Sequence, residues 1–239
     1  MTLAGQHIVI IGGSSGMGLA TARAAVDAGA RVTIASSSRA RLDAALATLP
    51  DASAGVIVDA RRESDIADLF AGAGEIDHLV FTSGDAARPR PLAELSIAEA
   101  RALLEVRLWG AITAVKYATP HLRPGGSTTL TSGTIGERPA PGTALVAGGS
   151  AAIEGLSRGF AVELAPIRVN AVRPGAILTP LWDSLPQPQR ETALGALANR
   201  NLMKVIGTAD QIAAAHLYLM ENEFVTGTVL TVDGGQLLT

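Results

Sequence analysis

The chain has 239 residues, 48% hydrophobic and 17% charged, with a formal net charge of −3. That length suits one large α/β domain or two small ones, with ample material for a buried core. There is no cysteine and no basic block, which excludes disulfides, thiolate metal sites and cysteine nucleophiles and argues against nucleic acid as the main partner.

Residues 7–11 read as a buried strand that stops at Gly12. A turn of small residues follows, Gly12-Gly13-Ser14-Ser15-Gly16-Met17-Gly18, and a helix runs over 16–28 to Gly29. A phosphate-binding loop needs this order. Gly12 permits a sharp turn, Gly16 a close approach of backbone to a diphosphate, and Gly18 tight packing of helix on strand. Backbone N–H groups and the helix dipole then face the anion, with the hydroxyls of Ser14 and Ser15 beside them. A turn that binds nothing has the same pattern.

The second strand covers 31–35 and runs into Ser36-Ser37-Ser38-Arg39. An acid here would hydrogen-bond the ribose 2′-hydroxyl of NAD(H) and repel a 2′-phosphate. None is present, and three hydroxyls with an arginine suit a phosphate, so NADP(H) is favoured over NAD(H). The serines serve equally as caps for a helix starting near Arg39, and both readings can hold. A third strand over 55–58 ends at Asp59-Ala60, which faces an adenine or starts the next turn. Arg61 and Arg62 read as solvated charges. After a helix over 63–71, a fourth strand at 78–81 leads into Thr82-Ser83-Gly84. The loop Arg88-Pro89-Arg90-Pro91 is an exposed, stiff segment or a greeting for an anionic substrate.

A long helix is expected over 96–118, opened by a Ser96/Glu99 capping box and carrying Arg107 at its middle. The fifth strand, 127–130, ends in Thr131-Ser132. A helix covers 145–164, and the sixth strand, 167–172, closes on Arg173-Pro174-Gly175. Residues 181–203 form a polar, proline-interrupted segment that suits a substrate lid. A helix at 209–220 and a strand at 229–232 complete the chain. The alternation gives an α/β fold: one domain over 1–239, a doubly wound, mostly parallel seven-stranded sheet with helices on both faces. Ser37, Asp59, Thr82, Ser132 and the stretch from Pro174 to Thr179 all fall at the carboxyl ends of strands, where such sheets bind ligands. The four histidines show no metal-ligand spacing, so no metal is expected. No stretch reads as a signal peptide or a membrane span, so a cytoplasmic protein with a small-molecule substrate is expected.

With these pieces the chain resembles the short-chain dehydrogenases/reductases, a Rossmann-fold family, over nearly its whole length. The resemblance rests on the glycine turn, Asp59, Thr82-Ser83-Gly84, Ser132, Ile167-Arg168-Val169-Asn170-Ala171-Val172-Arg173-Pro174-Gly175, Thr226-Gly227 and Val232-Asp233-Gly234-Gly235. It implies NAD(P)(H) binding, often in a homotetramer. It places Pro174, Gly175, Ile177 and Thr179 by the nicotinamide, with Thr179 at the carboxamide, and Thr82 and Ser83 by the cofactor ribose. The family often has two asparagines where Phe81 and Thr82 stand.

The main departure is on the helix at 145–164. The family's tyrosine and, four residues later, its lysine are matched by Val146 and Ser150, and the only tyrosines are Tyr117 and Tyr218. The family's asparagine on the long helix is matched by Arg107. Ser132, which helps hold the substrate oxygen, survives. Ser150 can still bind ribose through its hydroxyl. Arg107 returns a fixed cation that can stabilise an oxyanion or orient a water, but it is a poor proton donor near neutral pH. Loss of a positioned general acid costs roughly 10²–10⁴ in rate. The expected substrate is therefore an activated acceptor: an iminium, a quinone-like system or an electron-poor carbonyl. The alternative is a non-catalytic NADP(H)-binding sensor or assembly subunit. A hydrolase or isomerase would need a nucleophile–base pair, and none is identified. Glu137 and Asp183 read as solvated charges more readily than as acids of the site. Trp109 lines the pocket or packs in a core or interface.

Overall fold

In the computed structural model, residues 3–84 and 89–239 are described; Arg88 of the proposed anion-greeting loop lies outside them. The strand β1, His7–Ile11, is buried at every position, as a strand covered by helices on both faces requires. Successive side chains point to opposite faces, so β1 splits its residues between two cores. Val9 and Ile11 join Phe70, Leu79, Phe81 and Ala114 on one face. Ile8 and Ile10 join Ala22, Leu42, Val80 and Met220 on the other.

Around β1 stand β2 (Arg31–Ser36), β3 (Ala54–Ile57), β4 (Ile76–Phe81), β5 (Leu122–Thr131) and β6 (Arg168–Pro174). The two-residue strands β7 (Ile177–Leu178) and β8 (Gly207–Thr208) precede β9 (Val229–Val232). The main sheet has seven strands in the order β3-β2-β1-β4-β5-β6-β9. All its pairings are parallel, with Ile8 opposite Val32 on one side and His78 on the other. The order reverses at β1, between β2 and β4, and doubly wound sheets open their ligand crevice at that point. Strands β7 and β8 pair as a small parallel ribbon, which the sequence pattern does not announce.

The helices are α1 (Gly16–Asp27), α2 (Arg39–Leu46), α3 (Glu63–Ala73), α4 (Ile97–Leu104), α5 (Ala111–Ala118), α6 (Ala144–Glu163), α7 (Gln187–Ala198) and α8 (Ala209–Glu221). The helix expected over 96–118 opens with the Ser96/Glu99 capping box. It is interrupted by a π-helical turn, Glu105–Gly110, between α4 and α5. Such turns are frequent at functional sites, and this one carries Arg107. Among the described residues no helix is long and apolar enough to cross a membrane, and no His/Cys/Asp/Glu group could hold a metal ion.

Candidate functional site

The carboxyl ends of the central strands open into one cleft of about 740 Å³, within the range of small-molecule and cofactor sites. The glycine turn forms one wall. Gly12 has φ +93°, and a Cβ there would stand 2.7 Å from both the Ser83 nitrogen and the Thr82 hydroxyl. A Cβ on Gly18 would run into the Gly12 carbonyl and stand 2.6 Å from the Thr82 hydroxyl. These two glycines let the turn fold back against the end of β4. Ser15 is the N-cap of α1, but its side chain makes no capping hydrogen bond. The first-turn N–H groups are therefore left for an anion at the positive end of the helix. Ser14 donates to Ser36 Oγ at 2.7 Å, tying the turn to the end of β2. Gly16 and Met17 complete this wall, and Gly16 packs against Thr179 from the far side of the cleft.

At the end of β2 the expected residues divide. Ser36 and Ser37 line the cleft, but Ser38 and Arg39 do not. Ser38 is the N-cap of α2 and accepts from the Arg41 backbone N–H at 3.3 Å. Arg39 turns outward, 3.7 Å from Asp43, with 71% of its side chain exposed. The cation that reaches the cleft is Arg41. Asp59 and Ala60 line it too, and so does Arg61, which sequence reasoning treats as a solvated charge. Arg61 grips the Asp59 carboxylate through Nε at 3.0 Å and Nη2 at 3.1 Å. That hydrogen bonding holds the Asp59 carboxyl below its usual range.

At the other end, Val146 and Ser150 stand one helical turn apart on α6, and both face the cleft. The Ser150 hydroxyl is fully buried and has no hydrogen-bond partner among the described residues. A buried hydroxyl on the cleft wall with its bonding capacity unused suits a ligand hydroxyl such as a ribose. Thr82, Ser83 and Gly84 continue the lining from β4. The Arg107 guanidinium lies over Gly84, so close that a Cβ there would stand 2.7 Å from Nη2. Pro174, Gly175, Ile177 and Thr179 close the opposite wall. The cradle of glycines, the uncapped helix start and the unused Ser150 hydroxyl together fit a nicotinamide dinucleotide.

Ser132 sits at the end of β5, 2% exposed. Its hydroxyl donates to Glu154 Oε1 at 2.8 Å. Glu154 is one helical turn beyond Ser150 and is gripped by Arg173 at both oxygens, at 2.7 and 2.5 Å. Arg173 also pairs with Glu137 at 2.7 Å. Burial opposes the charged form of Glu154, but the hydrogen bonds from Arg173 and Ser132 outweigh it and hold its pKa below the usual range. Sequence reasoning missed this pair. The signal was the i, i+4 spacing from Ser150 to Glu154, which puts both on one helix face. Glu137 and Asp183 are half-exposed or more and ion-paired, with Arg173 and Arg190 respectively, outside the cleft lining. Trp109 is 56% exposed and away from the cleft; the tryptophan that lines it is Trp182.

The enoyl-(acyl carrier protein) reductase family model matches residues 12–236. The short-chain dehydrogenase/reductase malC of Malbranchea aurantiaca is 35% identical over 253 residues, covering 99% of this chain and 96% of that protein. An L-fucose dehydrogenase of Bos taurus is 33% identical, covering 97% of this chain and 89% of that one. Two solved structures superpose over nearly the whole chain. One, described as the MalC reductase/Diels-Alderase from Malbranchea aurantiaca, has a TM-score of 0.93 at 33% identity over 99% of this chain and 98% of that one. The other, a small-chain dehydrogenase in complex with NADPH, has a TM-score of 0.85 at 29% identity over 98% and 100%. With the sheet order, the glycine turn and the full-length match in agreement, the chain belongs to the short-chain dehydrogenase/reductase family.

Proposed function

We propose that the protein is an NADP(H)-dependent oxidoreductase whose hydride acceptor is activated: an iminium, a quinone-like system or an electron-poor carbonyl. The observation that carries this reading is Val146 with Ser150 on the cleft face of α6, where a general acid would stand. A relative solved with NADPH and another described as a reductase support the class. Ser36, Ser37 and Arg41 at the adenosine end support the 2′-phosphate form of the cofactor.

When bound, the cofactor supplies a hydride; an iminium carbon that receives it leaves a neutral amine and needs no proton at the heteroatom. The chain's own residues then have three tasks. The glycine turn and the start of α1 hold the diphosphate. Ser150 and Thr82 hold the ribose end. Arg107 brings a cation and a rigid fork of donors to the substrate side of Gly84. Residues 181–203 act as the lid, supported by Leu181, Trp182 and Ser184 on the cleft wall. The reading also makes the protein a cytoplasmic homo-oligomer, a tetramer or dimer, with a small-molecule substrate.

The test is NADPH oxidation by the purified protein with a cyclic iminium and with a simple unactivated ketone. The iminium should be reduced at least ~10²-fold faster, the scale of an absent general acid. With a quinone-like or electron-poor carbonyl acceptor, where negative charge develops on oxygen, Arg107→Ala should slow turnover about tenfold or more. Family-like rates on unactivated ketones, unchanged in Arg107→Ala, contradict the reading. NADPH binding with no turnover of any acceptor points instead to a sensor.

A further inference from the structure

A serine hydroxyl has one hydrogen, and its oxygen keeps lone pairs to accept with. In this protein that hydrogen is committed: Ser132 donates it to Glu154 Oε1 at 2.8 Å in a buried bond. The direction of the bond is fixed by the partner. An ionised carboxylate only accepts, and Glu154 is held ionised by the two-pronged grip of Arg173. Arg173 is itself anchored on both sides, by Glu137 at 2.7 Å and by the Thr231 hydroxyl at 3.3 Å. Ser132 therefore turns lone pairs, not a hydrogen, toward the cleft it lines. A carbonyl oxygen meeting those lone pairs finds no donor, whereas an N–H finds an acceptor.

We infer that Glu154 is a positioning residue that sets Ser132 as a hydrogen-bond acceptor, so that the cleft selects an iminium carrying its own N–H over a carbonyl or an N-alkylated iminium. This deepens the reductase reading and rests on the same cleft. It assigns a task to two buried charges, Glu154 and Arg173, that cofactor binding does not use.

The probes are the 3,4-dihydroisoquinolinium ion and its N-methyl analogue, which share ring and charge and differ in the N–H. Each is titrated calorimetrically into the protein with NADP⁺ present, so that binding is read without turnover. One charge-assisted hydrogen bond predicts about tenfold tighter binding of the N–H form. Ser132→Ala leaves the Glu154–Arg173 pair whole and should bring the two affinities together. Glu154→Leu should do so as well, because it removes the acceptor and releases the serine hydrogen to the cleft while Arg173 keeps its pairing with Glu137. A merely structural role for Glu154 would weaken both probes alike and leave their ratio unchanged. Equal binding by the unaltered protein, binding of neither probe, a ratio that survives Ser132→Ala, or a ratio unmoved by Glu154→Leu overturns the inference. NADPH oxidation with the same two probes keeps the readings apart: a binding preference without turnover removes the reductase and leaves this selectivity standing, and turnover without a preference does the reverse.

Discussion

Arg39 and Arg41 are two positions apart and take opposite sides of α2. The Ser38 cap fixes the first turn of that helix, sending Arg39 toward Asp43 in solvent and Arg41 toward the cleft. A string of three serines and an arginine reads as phosphate-friendly, but the string does not say which arginine faces in. That depends on where the helix starts, to the residue. The account predicts that Arg41→Ala weakens NADPH binding about tenfold, as loss of one charge-assisted hydrogen bond would, and changes NADH binding little. Arg39→Ala should leave both nearly unchanged. Fluorescence titration of each variant with each cofactor checks this directly. Glu154 escaped sequence reading for a related reason. A glutamate on a helix is ordinarily a solvated one, and its burial follows only from Arg173 lying beneath it on β6.

Among the elements, α6 was the most legible. Its apolar and small residues run from Ala144 to Ile153 and are broken after that only by Glu154 and Arg158 before the helix ends at Glu163. The four-residue spacing of Val146 and Ser150 alone puts both on one face. The helix over 96–118 was legible in extent and start, because Ser96 and Glu99 make a capping box in both sequence and structure. Its π turn was not, since one extra residue in a helical turn leaves no mark in the hydrophobic period. The segment 181–203 resolves into a 3-10 turn, Pro180–Ser184, followed by α7. Trp182 sits at its hinge with β7, its Nε1 donating to the Ile177 carbonyl at 2.9 Å. If this segment is the lid, Trp182→Ala should raise KM about tenfold or more with a small change in thermal stability, because α7 carries no buried residue of its own. Steady-state kinetics together with a melting curve separates that outcome from simple unfolding.

At the scale of the whole molecule, the parallel, doubly wound sheet followed from the alternation of strands and helices, because parallel strands need crossovers and crossovers are right-handed; the strand order itself came from the structure. The β7–β8 ribbon did not follow from the alternation, since two-residue strands lie below what any period can show. Burial of two histidines sets the molecule's response to acid. His78, between Ser127 and Gln6, and His216, against Thr21 on α1, are both pushed down to about 4 by desolvation. The unfolded chain, with histidine near 6.5, binds these protons first. Stability is therefore full above about pH 6.5 and falls as pH drops toward 4, by up to about 3 kcal/mol per histidine. His216→Gln, which keeps a polar partner for Thr21, should flatten that fall. Melting temperatures between pH 7 and 4 for the two proteins read the difference.

The central claim is a dinucleotide cleft tuned to the 2′-phosphate, and parallel titration with NADPH and NADH, followed by nicotinamide fluorescence, tests it most directly. Micromolar NADPH binding with much weaker NADH binding is the predicted result. Binding of neither cofactor would contradict the account at its base, and equal binding of both would contradict the assignment of Ser36, Ser37 and Arg41.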